Sequence, residues 1–169
     1  MDIFLTSNIC FRYNEKGNSK LKTSYDVSVL QNIFGNIVNH VEKNIKEIIG
    51  KKNYGDGMND MTIVIYCHSK EMLKDIKEQI GEEKFNRDFG EEFKQRGKLG
   101  ESSVRIDAEN FLNGDFLERV ELMFGGIKKS VVEFKKIMDS RKVKKEFDIK
   151  EFFKDLDIAK ENTLKVAKE

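Results

Sequence analysis

Met61-Thr62-Ile63-Val64-Ile65-Tyr66-Cys67 is a nearly unbroken run of apolar and β-branched residues, and it constrains the fold more than any other segment. Successive side chains of a strand point to opposite faces. A strand with apolar groups on both faces needs cover on both, as in sheets layered with helices. The rest of the chain must therefore supply neighbouring strands and covering helices.

Neighbouring strands are signalled by period-two patterning. Ile3, Leu5, Ile9, Phe11 and Tyr13 alternate with polar residues, Asn14 to Asn18 supplies turn types, and Leu21, Thr23 and Tyr25 resume the alternation. This predicts an N-terminal hairpin. Val104, Ile106 and Ala108 alternate with Arg105 and Asp107, which predicts a further short strand.

Covering helices are signalled by a change to a three-and-four step. Val27, Leu30, Phe34, Ile37, Val41, Ile45 and Ile48 lie on one helical face, ending before Gly50-Lys51-Lys52, a glycine stop with cations at the negative end of the dipole. After a loop over Asn53 to Asp60, the central strand runs into Ser69, an expected N-cap. It opens a helix that buries Met72, Leu73, Ile76 and Ile80. Phe85, Phe89 and Phe93 repeat every four residues, the spacing of one helical face, and Lys94 to Ser103 reads as a mobile loop.

Asn113-Gly114 marks a turn, and Asp115 with Glu118 forms a capping box in its Asp form. Two seams follow, Val120, Phe124, Ile127, Val131, Phe134, Met138 and then Ile149, Phe152, Leu156, Ala159, Thr163, Val166. Joined across Asp139 to Glu146, they predict an antiparallel helical hairpin. Gly125-Gly126 inside the first predicts a kink or a close helix crossing. The expected fold is α+β, or α/β, with a small mixed sheet of three to four strands covered by helices. Residues 1–112 would form the core and 113–169 the helical hairpin, packed on it or projecting from it, in a single domain.

Composition narrows the function classes. The 169 residues carry 31 Lys+Arg and 30 Asp+Glu, a net charge of +1, with 38% hydrophobic residues, enough for a core. The first 13 residues lack a basic region followed by an apolar run, so no signal peptide is expected, and no stretch approaches the ~18 apolar residues of a membrane span. The expectation is a cytoplasmic protein with no membrane partner. Cys10 and Cys67 sit in strand-like runs and read as buried free thiols. The weight of Lys, Ile, Asn and Glu suggests an AT-rich bacterial or phage source.

Few residues offer chemistry. Cys67-His68-Ser69 stands where ligands gather in open α/β sheets, beyond a strand's carboxyl end and at a helix N-terminus. Asp107 ends another strand, and if the strands are neighbours His68 and Asp107 could act as an acid–base pair. The plainer reading makes Cys67 core, His68 an exposed turn residue, Ser69 a cap and Asp107 a solvated or capping aspartate. His40 borders an apolar seam. No zinc spacing is present, and Asp56-Gly57-Met58-Asn59-Asp60 lacks the alternation and distal Glu of a calcium loop, so no metal or cofactor is expected. Gly97-Lys98-Leu99-Gly100 lacks the spacing and strand-to-helix context of a phosphate loop.

Charge is uneven in one place. Lys135, Lys136, Arg141, Lys142, Lys144 and Lys145 face a single acid, Asp139, between residues 135 and 145. This run is the expected partner-binding patch, although lysines at a helix end also complement the dipole. The leading reading is a non-catalytic macromolecule-binding protein, a bacterial or phage inhibitor, immunity or regulatory factor acting on a protein partner, with a homo-oligomer through the C-terminal helices as a further expectation. One alternative is a small enzyme acting on a nucleotide or phosphorylated ligand through His68, Ser69, Asp107 and Lys98. The other is a nucleic-acid-binding protein using the basic run, with salt-sensitive affinity.

Overall fold

A computed structural model describes residues 1–6, 27–97, 100–141 and 146–166. Most of the expected N-terminal hairpin, Cys10 included, lies outside these residues, as do Lys98, Lys142, Lys144 and Lys145. The fold is mixed α+β. Among the described residues four strands, β1 (Asp2–Thr6), β2 (Thr62–His68), β3 (Phe93–Gln95) and β4 (Glu101–Asp107), form one sheet in the order β1-β2-β4-β3. The run that dominates the sequence is the inner strand β2, parallel to both neighbours, while β3 is antiparallel to β4. Leu5, Ile65 and Val104 share one register row across β1, β2 and β4.

Parallel neighbours require crossovers, usually helical. The connection from β1 to β2 contains α1 (Val27–Ile48) and the short α2 (Asp56–Asn59). The path from β2 to the far edge contains α3 (Lys70–Ile80) and α4 (Glu82–Phe89). After β4 come α5 (Ala108–Asn113), α6 (Phe116–Ser140) and α7 (Ile149–Val166). The cover of β2 is uneven. Ile63, Ile65 and Cys67 are fully buried on the face that α6 crosses, where a Cβ on Gly126 would stand 3.4 Å from Ile106 and 3.7 Å from Ile65. Each such isoleucine stabilises the fold by about 1.5–3 kcal/mol through burial. On the opposite face Tyr66 and His68 are buried beneath Phe89 of α4, whereas Val64 is half-buried and Phe4, its neighbour in register, is 54% exposed.

The two C-terminal helices run antiparallel, since Phe134 stacks near Phe147 and the pairs Lys128–Asp157 and Lys160–Glu121 step down one helix as they climb the other. The α7 seam meets a second helix as well. Asn44 on α1 donates to Thr163 at 3.1 Å, and α7 packs against both α1 and α6. Phe152, Leu156, Ala159 and Thr163 are thereby buried within the chain.

Three local expectations are corrected. Phe93 is not helical: α4 ends at Phe89, and Phe93 pairs with Val104 in β3. The segment Lys94 to Ser103 is not a loop throughout, because β4 begins at Glu101. Its serines are polar yet buried, with Ser102 Oγ 2.7 Å from Ser130 Oγ on α6, a partner 28 residues away that satisfies the hydroxyl. The loop before β2 contains the turn of α2, and its Gly55 has φ 101°, where a Cβ would strike the Glu146 carbonyl.

Candidate functional site

His68 and Asp107 close their strands as register partners at the carboxyl edge of the sheet, the juxtaposition that acid–base chemistry would need. Their side chains are otherwise engaged. Asp107 is the N-cap of α5, and its Oδ1 accepts from the amides of Glu109 at 2.8 Å and Asn110 at 3.4 Å. Ser69 caps α3 in the same way, accepting from the Met72 amide at 3.1 Å. His68 is not an exposed turn residue: it is 0% exposed, with ring centroids 5.7 Å from Tyr66 and 5.8 Å from Phe89.

Both His68 ring nitrogens are buried without a hydrogen-bond partner. Burial first, and then the Arg105 cation, push its pKa down to about 3, so the imidazole is neutral near pH 7. Arg105 Nη1 reaches the His68 carbonyl at 3.4 Å. Cys67 is buried on the other face of β2. The carboxylate and the imidazole are thus neighbours in register with no hydrogen bond between them.

Beside this corner the sheet opens. Between the carboxyl half of β4, α5 and the first half of α6 lies a cleft of about 600 Å³. Its floor is Val104, Ile106 and Leu122 with Gly125-Gly126, and its walls carry four acids, Glu92, Asp107, Glu118 and Glu121, against two cations, Arg105 and Lys129. Lys129 is held by Glu92 at 2.6 Å. The two glycines differ in their surroundings. Gly126 lies against the sheet, whereas a Cβ on Gly125 would meet nothing within 4 Å. A glycine inside a helix costs about 1 kcal/mol relative to alanine, and among the described residues no contact calls for that cost at Gly125. The helix runs through both residues without interruption, and at Gly126 the close neighbour is the sheet rather than the expected second helix. A signal was present in the sequence: Glu118, Leu122, Gly125 and Lys129 step 4, 3 and 4 along one helical face.

The basic run is described at three of its six cations. Lys135 pairs with Asp139 at 2.8 Å and Lys136 with Glu133 at 3.2 Å, all on α6. Arg141 is exposed just past the helix end. Exposed pairs of this kind are worth about 0.2–1 kcal/mol, so a partner meets little resistance in displacing them.

A third cluster serves the fold. Asp155 of α7 is buried and accepts from the Tyr54 hydroxyl at 2.9 Å and from Lys52 Nζ at 2.8 Å. Burial and this carboxylate raise the Tyr54 pKa, and the bond to Asp155 raises that of Lys52. The Tyr54 carbonyl also accepts from the Asp148 amide at 2.6 Å. The loop after α1 is thus clasped to the start of α7. Among the described residues no group of three or more His, Cys, Asp or Glu could hold a metal ion, and no helix is long and apolar enough to cross a membrane.

Compared with known families, residues 1–162 match the family described as Immunity protein 44. No curated protein and no solved structure gives a significant match.

Proposed function

The chain belongs to the Immunity protein 44 family and is a bacterial immunity protein, and from that premise we propose that it neutralises a partner toxin in the cytoplasm by direct, stoichiometric and non-catalytic binding. The family match over residues 1–162 is the observation that carries this reading. The side chains support it. The imidazole that a catalytic reading would enlist is buried, neutral and unpartnered, and the neighbouring carboxylate is spent on backbone amides. The exposed residues around the cleft and at the end of α6 offer shape and charge instead.

Titration of the purified toxin's activity with this protein tests the mechanism. Binding predicts a linear loss of activity that ends at a fixed molar ratio, with the two proteins co-migrating on gel filtration. Complete loss at a small fraction of an equivalent, increasing with incubation time, would show catalytic destruction of the toxin or its product and defeat the reading.

A further inference from the structure

We infer that the cleft between β4 and α6 seats one arginine or lysine side chain projected by the toxin; this inference rests on the binding reading above. The space comes first. At Gly125 the helix dispenses with a side chain where no neighbouring atom would obstruct one, and the opening lies over an apolar floor of Val104, Ile106 and Leu122. A floor of this kind suits the alkyl stem of a long cationic side chain, whose charged head then stands at the rim.

Charge selects the occupant. The walls carry an excess of two acids in a chain whose total is +1. Lys129 is already neutralised by Glu92, and the Asp107 carboxylate serves the α5 cap. Glu118 and Glu121 are exposed on α6; among the described residues Glu121 has one ion-pair contact, with Lys160 at 3.8 Å. An incoming guanidinium or ammonium gains these two carboxylates, while a phosphate backbone or an acidic segment would be repelled. The basic end of α6 lies outside the cleft lining, so its role in binding can be varied separately.

Two titrations test the inference on the full chain. In the first, hexa-arginine is added while backbone amide shifts are followed, with hexaglutamate as the control. Shifts centred on Ile106, Gly125 and Gly126 with hexa-arginine alone support the seat; shifts centred elsewhere, or equal with both peptides, overturn it. In the second, toxin affinity is measured for Gly125→Leu, which fills the opening, and for Glu118→Gln, which keeps the shape and removes charge. Each should bind about tenfold or more weakly, with Lys74→Gln, at an exposed position of α3 outside the cleft lining, as the reference. Leucine is the better helix former, and a melting temperature no lower than that of the wild type confirms that the filled variant folds. Toxin bound by the wild type and both cleft variants within twofold overturns the seat and leaves neutralisation by binding intact. A wild type that protects cells yet binds no toxin overturns both.

Discussion

Two regions at the carboxyl edge of the same sheet differ in what they leave free. At the end of β2, His68 carries reactive chemistry and is sealed beneath Phe89 and beside Tyr66. One strand over, the cleft walled by β4 and α6 has little catalytic apparatus, yet it is open, lined by exposed acids and floored by a glycine pair. A strand end in an open sheet is a place where ligands gather, but whether it becomes a site depends on what the next helices do there. The helix α4 fills the first position, and the glycines of α6 leave the second empty.

Removing the lid of the filled region should have the largest effect. Phe89→Ala should destabilise the fold by about 3–5 kcal/mol, read as a lowered midpoint in urea, because the ring is nearly buried and covers both Tyr66 and His68. If the corner were an open site instead, the variant would unfold at an unchanged midpoint.

The buried imidazole makes the filled region sensitive to pH. Its pKa is about 3 in the folded chain and 6.5 in the unfolded one, so between these values the unfolded state binds the proton that the native state refuses. Stability attributable to this group is fully present above pH 6.5 and falls as pH drops toward 3, with a slope of up to ~1.4 kcal/mol per pH unit. Urea midpoints of the wild type between pH 7 and pH 4 should fall more steeply than those of His68→Phe. Parallel profiles would mean that the ring is solvated or partnered.

How much of this was legible depended on distance along the chain. The seams of α1, α3, α6 and α7 report burial on one side, and the caps at Ser69 and Asp115 are satisfied within three residues, by the amides of Met72 and Glu118; both kinds of signal are local. The beginning of β4 was not legible, because Ser102 and Ser103 are polar and owe their burial to pairing with distant elements, Ser130 among them. The spacing of Phe85, Phe89 and Phe93 fits a helix equally well when the last ring belongs to a strand. The burial of His68 depends on a ring 21 residues further on. At the cleft, the glycine pair was visible, but which of the two faces the sheet is fixed only by how α6 lies on β4.

The corner also contains a smaller effect that separates architecture from catalysis. Asp107→Ala should cost about 1 kcal/mol by releasing the Glu109 and Asn110 amides at the start of α5. Asp107→Asn, which retains an acceptor, should recover most of that loss in a thermal melt. A carboxylate needed for its charge would not be rescued by the amide.

The smallest expected change lies in the open region and has the opposite sign. Gly125→Ala adds one methyl group to an exposed helical position where nothing stands within 4 Å, so it incurs no steric cost and gains up to ~1 kcal/mol of helix propensity. Gly126→Ala places its methyl 3.4 Å from Ile106 and 3.6 Å from Val104. There the propensity gain is offset by the shift the sheet must make, and its net effect should be the smaller of the two. A rise in melting temperature for Gly125→Ala above that of Gly126→Ala would show that the fold gains nothing from the glycine at 125. A loss at 125 would mean instead that the backbone there needs glycine for its own conformation, and the open cleft would then be a by-product of local geometry.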